Sequence, residues 1–226
     1  EVILLDDAYQ HRYVCPSLSI VLSDYHRLFY NDKLMPTGRL REPINGINRA
    51  DIVVVTKCEE DMKPIDFRII EENMKLRAHQ LLFFTSIVYD EIKPVFPSMA
   101  QSLRRKDIGK EEDILLISGI ASPSPFIREA KKYSKKVLPA IFPDHHTFIK
   151  SDFKKLDETY EMMTSPGKLI LTTEKDAARL KDNPLVPESW KKSLYYLPIT
   201  IKFHNGQSFD ETIKKHIIAV QKKSIL

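Results

Sequence analysis

The chain has 226 residues, of which 35 are basic and 31 acidic, giving a formal net charge of +4, and 42% are hydrophobic. That is enough apolar material for one large domain or two small ones, and the longest apolar stretch, 81–89, is too short to span a bilayer. Cys15 and Cys58 have neither CxxC spacing nor a histidine in ligand register, which argues against a disulfide framework or a zinc site. The protein is therefore expected in a reducing cytoplasm.

The first part of the chain alternates short apolar runs with helix-like spacing. The runs that have the continuous apolar composition of buried parallel strands are Val2–Leu5, Leu18–Leu22 and Ile52–Val55. Apolar residues recur at helical intervals over 40–50 and 65–81. This alternation predicts an α/β sandwich, and ligands of such sheets bind beyond the carboxyl ends of the strands. Asp6, Asp7 and Asp24 are expected at those ends.

A second α/β set follows. Its predicted elements are strand Ile114–Ser118, helix Phe126–Tyr133, strand Val137–Phe142, helix Asp152–Met162 and strand Leu169–Thr172. Extended segments lie on both sides of it, Leu82–Tyr89 before and Tyr195–Phe203 after. If these two segments pair antiparallel, they connect two lobes, and the final helix, Phe209–Lys223, returns to the first lobe.

The run Val2–Leu5 followed by Asp6 and Asp7 has the form of a Walker B element, in which an apolar strand delivers a carboxylate to nucleotide-bound magnesium. Magnesium takes hard oxygen ligands, commonly one or two carboxylates together with phosphate oxygens and water. Many α/β strands end in an aspartate, so a turn or a helix cap is the alternative interpretation of this pair.

The sequence that continues from the acidic pair is more specific. The motifs, in chain order, are DDAYQH at 6–11, LMPTGRLREP at 34–43, RAD at 49–51, SGIASP at 118–123, FPDHH at 142–146 and TTEKDA at 172–177. Together they resemble the tetraacyldisaccharide 4'-kinase family, whose pattern runs D-D-G-F-Q-H, then L-P-x-G-x-L-R-E-P, then R-x-A-D. Ala8 stands where the family usually has Gly, and Tyr9 where it usually has Phe.

The resemblance implies an ATP- and Mg²⁺-dependent enzyme with a P-loop NTPase-like α/β lobe, joined by a two-stranded β hinge to a smaller α/β lobe. It places the first lobe at 1–82 with a returning helix at 206–226, the hinge at 83–90 and 195–205, and the second lobe at 91–194. The chain contains no G-x-x-x-x-G-K-S/T sequence and starts within an apolar run. We therefore expect the P-loop and the family's proposed catalytic base to lie upstream, and the first lobe to be incomplete.

For the first lobe, the resemblance implies that Asp6 and Asp7 serve the magnesium ion and the phosphate site. Gln10 and His11 follow them, where their side chains either touch phosphate or brace the acidic pair. Arg41 is expected to clamp phosphate oxygens, since a guanidinium can do so bidentately. Glu42 then holds the metal or positions Arg41, and a surface salt bridge is the alternative for this pair.

For the second lobe, the resemblance implies that His145 assists the base that accepts the sugar hydroxyl proton, acting through closure of the lobes. Asp144 would orient His145, and His146 is expected to be structural. The segment 173–176 is expected to cap the helix that follows its strand.

The implied substrate is tetraacyldisaccharide 1-phosphate, phosphorylated to lipid IVA by a monomeric enzyme in peripheral contact with the cytoplasmic face of the bacterial inner membrane. Paired lysines along the chain indicate solvated helix faces or attraction to anionic head groups. No aromatic-basic ribonucleoprotein pattern accompanies them, so nucleic acid is not expected. The alternatives are a metal-dependent phosphoesterase that uses Asp144, His145 and His146 with Asp6 and Asp7, and a non-catalytic module that binds the lipid precursor.

Overall fold

The computed structural model describes residues 2–204 and 208–223. The chain folds as two compact units, one formed by Glu1–Val88 with Ile201–Leu226 and the other by Tyr89–Thr200. Each unit has its own sheet with parallel strands, so the predicted α/β class is confirmed. Among the described residues, no helix combines the length and the apolar composition that a membrane span requires.

The four strands of the first unit's sheet are β1 (Ile20–Asp24), β2 (Ile52–Cys58), β3 (Leu81–Tyr89) and β9 (Ile199–Phe203). Their order in the sheet is β1-β2-β3-β9. The pairs β1–β2 and β2–β3 are parallel. The unit's helices are α1 (Pro64–Met74) and α5 (Phe209–Lys223), the latter with the predicted bounds.

The core of this unit lies on both faces of β2, whose first four residues are fully buried. Val53 and Val55 pack in a cluster with Ile70 and Met74 of α1. On the opposite face, Ile52 and Val54 pack with Phe83, and Phe209 and Ile213 of α5 lie against them. The run of consecutive apolar residues in β2 is therefore explained by helices on both sides of the strand.

The predicted strand Val2–Leu5 is wrong: these residues form no strand, and Ile3 and Leu4 are 85% and 90% exposed. An extended apolar run becomes a strand only when a neighbouring strand satisfies its backbone hydrogen bonds. Among the described residues, β1 is the edge of the sheet and pairs only with β2, so the run has no partner. Asp6 and Asp7 consequently follow an exposed segment.

Two predicted helices of the first unit are shorter than expected. The first, Leu40–Ala50, is reduced to a 3₁₀ helix at Ile44–Arg49, because Pro43 restricts the residue before it to extended backbone. The second, Ile65–Leu81, ends at Met74, where Lys75 takes a left-handed conformation with φ of 47°. After it the Arg77 N–H donates to the side chain of Gln80, which closes a turn before β3.

The strands of the second unit's five-stranded sheet are β4 (Lys93–Pro94), β5 (Asp113–Ser118), β6 (Lys136–Ile141), β7 (Leu169–Thr173) and β8 (Leu194–Leu197). Their order in the sheet is β4-β8-β7-β5-β6. Its helices are α2 (Ser124–Tyr133), α3 (Lys150–Met162) and α4 (Glu174–Lys181). All pairs are parallel except β4–β8.

Strand β5 is buried along its whole length and divides the core of the second unit. Ile114 and Leu116 belong to one cluster, with Phe126 and Ala130 of α2. Leu115 and Ile117 belong to the other, with side chains of α3 and α4 and the fully buried Trp190. Alternate residues of β5 thus face opposite layers of helices, as a central parallel strand requires.

The segment Tyr195–Phe203, predicted as one extended strand, is two strands separated by Pro198. β8 pairs parallel with β7 in the second sheet, whereas β9 lies beside β3 in the first. A proline cannot donate to a ladder, which accounts for the break. Residues 195–197, expected in the hinge, therefore belong to β8 in the sheet of the second unit. Of the predicted helix over 206–226, the structure describes residues 208–223, in which α5 begins at Phe209, and the other residues lie outside the described part.

The two cysteines give a test of this packing. Cys58 at the end of β2 is 5% exposed, and burial raises the pKa of its thiol to about 11, whereas Cys15 is exposed. At pH 8 only about one Cys58 in a thousand is then a thiolate, the reactive form. We expect a thiol reagent to label one cysteine rapidly in the native chain and the second only in denaturant. Cys15→Ser should abolish the rapid phase, and two rapidly labelled thiols in the native chain would contradict this packing.

Candidate active site

Asp7 and Arg41 are held together in the first unit. Nη1 of Arg41 donates to both carboxylate oxygens of Asp7, at 2.8 Å each. Both side chains are largely exposed, so the pair adds little to stability. Asp7 has a φ of 48°, a left-handed conformation that is uncommon outside glycine but more accessible to Asp than to most residues. The structure thus joins a predicted magnesium ligand to a predicted phosphate-binding arginine.

Glu42 lies in a separate cluster of arginines. Its carboxylate accepts hydrogen bonds from Nη2 of Arg49 at 2.8 and 3.0 Å and from Arg12 at 3.3 Å. The hydrogen bond with Glu42 raises the pKa of Arg49. Gly46 lies against Glu42, where an added Cβ would be 2.6 Å from the carboxylate carbon. Arg49 and Arg12 engage both oxygens of Glu42, whereas Arg41, the residue that Glu42 was expected to position, pairs with Asp7 instead.

Tyr9 completes this cluster. The Arg49 guanidinium lies 4.7 Å from the centroid of the Tyr9 ring, and the Tyr9 hydroxyl donates to the carbonyl oxygen of Gly46 at 2.6 Å. Burial raises the pKa of this phenol. The hydroxyl by which Tyr9 departs from the usual family residue is therefore used locally, to tie the segment after the acidic pair to the 3₁₀ helix that carries Arg49.

The structure brings none of the other predicted site residues of the first unit, Asp6, Gln10 and His11, into hydrogen-bonding contact with Asp7, Arg41 or Glu42. Gln10 and His11 are exposed, and the His11 ring contacts Tyr13 at a centroid distance of 5.9 Å. Across 2–204 and 208–223, no three His, Cys, Asp or Glu side chains are grouped to hold a metal ion. Asp6 and Asp7 nevertheless fit magnesium as donors, because one or two carboxylates suffice when phosphate oxygens and water complete the coordination. The fit does not extend to Glu42.

In the second unit, Asp176 joins two of the sequence motifs. It is fully buried at the start of α4 and accepts hydrogen bonds from the Gly119 N–H and the Thr173 hydroxyl, both at 2.8 Å. Nη1 of Arg179 lies 3.2 Å from its other oxygen. The Asp176 N–H donates back to Thr173 Oγ1, which confirms that segment 173–176 caps α4. Loops after β5 and β7 are thereby fixed at the carboxyl edge of the sheet.

His145 lies beside this network on the loop after β6. Its φ is 61°, and its backbone N–H donates to Asp144 Oδ1 at 3.0 Å. Nη2 of Arg179 is 3.2 Å from Nδ1 of the ring, and Nζ of Lys175 is 3.4 Å from Nε2. Lys175 also donates to Asp144 at 2.9 Å and holds the pKa of that carboxyl below its usual value. The His145 side chain remains 73% exposed, so the ring is oriented yet accessible to a reactant.

His146 has a different environment. Its ring stacks on Phe142 at a centroid distance of 4.6 Å, and Nε2 lies 2.8 Å from Asp152 Oδ2 at the start of α3. This half-buried, paired ring anchors the loop to the core, in keeping with the structural role expected for it. Because His145 and His146 face different partners, the Asp-His-His sequence does not form the convergent metal site that a phosphoesterase needs.

The family model described as tetraacyldisaccharide-1-P 4'-kinase matches residues 1–218 of this chain. The chain belongs to this family. Among curated members named tetraacyldisaccharide 4'-kinase, that of Parabacteroides distasonis is 51% identical over 219 residues, and that of Flavobacterium johnsoniae 42% identical over 219 residues. Both matches cover 96% of the chain but 59% of the relative, so the chain spans less than two-thirds of the length of these relatives.

The fold is also that of the crystal structure of the "apo" form of LpxK from Aquifex aeolicus in complex with ATP. The TM-score is 0.58 at 22% sequence identity, and the match covers 95% of this chain and 56% of the other. At this identity the similarity establishes the shared architecture, and the family membership rests on the sequence matches above.

Sequence reasoning assigned no role to three arginines that hold the two clusters together, although Arg49 lies in the motif at 49–51. Arg12, Arg49 and Arg179 each contact a predicted site residue, two of them Glu42 and the third His145. Arg179 could have been noticed because it stands three residues after Asp176, a spacing that places both on one face of a helix. No comparable local signal relates Arg49 to Tyr9 across forty residues.

Proposed function

We propose that this chain is part of an enzyme that transfers the γ-phosphoryl group of ATP to the 4'-hydroxyl of tetraacyldisaccharide 1-phosphate, giving lipid IVA. The observation that carries the proposal is the match of the kinase family model over residues 1–218. The pairing of Asp7 with Arg41 and the oriented, accessible ring of His145 support it. Phosphoryl transfer depends on positioning and charge neutralisation more than on covalent catalysis, and these are the groups it requires.

Each residue then has a chemical role. Asp6 and Asp7 would hold Mg²⁺, which neutralises phosphate charge when it is bound with ATP. Arg41 is free to exchange its exposed partner Asp7 for phosphate oxygens, since a guanidinium binds both bidentately. Glu42 keeps this loop in place through Arg49 and Arg12. Gln10 and His11 present exposed side chains next to the acidic segment, where they can contact phosphate.

The lipid substrate implies where the enzyme works. A tetraacylated disaccharide resides in a membrane, so we propose that the enzyme acts at the cytoplasmic face of the inner membrane as a peripheral protein. Lysines on α2 and α3, among them Lys131, Lys132, Lys154 and Lys155, would favour an anionic surface.

The proposal is tested with a polypeptide extended upstream to the length of its relatives. It should transfer ³²P from γ-labelled ATP to tetraacyldisaccharide 1-phosphate, with the label at the 4' position and a requirement for Mg²⁺. Arg41→Ala should lower the rate strongly, whereas Arg68→Ala, which removes an exposed pair on α1, should leave it unchanged. Manganese-dependent cleavage of a phosphodiester without transfer would favour the phosphoesterase instead, and precursor binding without turnover would favour a binding module.

A further inference from the structure

We propose that Arg179 is a positioning residue that sets the tautomer and orientation of His145, so that the neutral ring carries its proton on Nε2. The inference rests on the proposed function for its catalytic consequence, but its structural content does not. It concerns a residue of α4 that lies outside the six sequence motifs.

The contact with the ring decides the tautomer. Nη2 of Arg179 lies 3.2 Å from Nδ1 of His145. A guanidinium has only donors and is always charged, so this contact is a hydrogen bond only when Nδ1 has no proton. The proton of the neutral ring must then be on Nε2. The 3.4 Å approach of Lys175 Nζ to Nε2 is the weaker contact, and Lys175 has a better acceptor in Asp144 at 2.9 Å.

Arg179 is itself held by buried groups. Its Nη1 donates to Asp176, which is fully buried and is fixed from the other side by the Gly119 N–H and the Thr173 hydroxyl. The planar guanidinium therefore bridges a rigid carboxylate and an exposed imidazole. Lysine could not do this, because a single ammonium lacks the fork that reaches both partners in fixed directions.

The arrangement has a functional consequence. With Nδ1 occupied, the group that His145 offers to a reactant is the Nε2–H, a hydrogen-bond donor. His145 would then stabilise a carboxylate base or a phosphate oxygen by donation rather than remove a proton itself. A ring without this constraint would rotate and exchange its tautomers, because His145 is largely exposed.

The first test is spectroscopic and needs no activity. Ring ¹⁵N signals of His145 are assigned in the wild-type chain by comparison with His145→Ala and recorded at alkaline pH. We expect protonated Nε2 and unprotonated, hydrogen-bonded Nδ1. In Arg179→Met the Nδ1 signal should shift toward that of a ring in water, and Lys181→Met, at the exposed end of the same helix, should leave it unchanged. A proton on Nδ1 in the wild type would overturn the proposal.

The second test is a double-mutant cycle in the extended enzyme. Arg179→Met alone should lower kcat roughly tenfold, with little change in KM for ATP, as expected for two coupled side chains. In the His145→Ala background the same substitution should cost nothing further, because Arg179 acts only through the ring. An equal loss in both backgrounds would mean a purely structural arginine and overturn the proposal. If His145→Ala has no effect on kcat, the proposed function of His145 fails, and the ¹⁵N result still decides the role of Arg179.

Discussion

The 226-residue chain alone is expected to transfer no detectable phosphoryl group from ATP and to bind Mg-ATP weakly. In P-loop enzymes the loop's backbone N–H groups and its lysine cradle the β- and γ-phosphates, whereas the Walker B acid serves the metal. No such loop sequence occurs among the six glycines of this chain. Asp6 and Asp7 can still bind a metal ion, and Arg41 can bind phosphate oxygens. Without the loop, however, nothing would hold the γ-phosphate in line with a sugar hydroxyl. Positioning of this kind lowers a barrier by roughly 7–11 kcal/mol, which the remaining charges cannot replace.

The measurement compares the chain with the upstream-extended polypeptide in phosphoryl transfer to tetraacyldisaccharide 1-phosphate and in ATP binding by calorimetry. Rapid labelling of only one of the two cysteines would show that the first unit of the shorter chain is folded, so that loss of activity is not mistaken for unfolding. Comparable turnover by the two polypeptides would show that the active site has been misplaced.

His145→Ala in the extended enzyme should lower kcat by about 10²-fold or more, with little change in the affinity for ATP, since general acid–base assistance contributes on this scale. Arg179 contacts the ring and Asp144 accepts from the His145 backbone N–H, but the ring remains open to solvent, as a group that meets a substrate must be. Steady-state kinetics at saturating ATP separates this effect from a loss of nucleotide binding.

The adjacent histidine provides a matched control. His146→Ala removes the ring that stacks on Phe142 and pairs with Asp152, so it should lower the thermal stability of the second unit. Its kcat per folded molecule should stay near that of the wild type. A large loss of kcat in His146→Ala together with wild-type turnover in His145→Ala would reverse the assignment of the two rings.

The central strands and the capped helices could be predicted from the sequence. β5 and β7 are continuous apolar runs that can be stable only between two layers, and they form within a residue of the predicted bounds. Thr173 predicts the start of α4, because its hydroxyl oxygen can accept a hydrogen bond from a backbone N–H of the first turn. The motifs likewise indicated the family, because each consists of particular residue types at fixed positions within a short segment. These signals lie within a few residues of the element they specify.

What the tertiary structure decided depends on partners far along the chain. The run Val2–Leu5 has strand composition but finds no neighbouring strand in the described residues, and composition cannot reveal that. The division of 195–203 between two sheets depends on which edge each half meets, with Pro198 marking only the break. Arg49 and Arg179 reach Glu42 and His145 through long side chains that many folds could place elsewhere. Local pattern therefore determined the central strands, the capped helices and the family, whereas the contacts that orient the reactive groups required the packed chain, because the partners of long side chains are set only once the backbone is fixed.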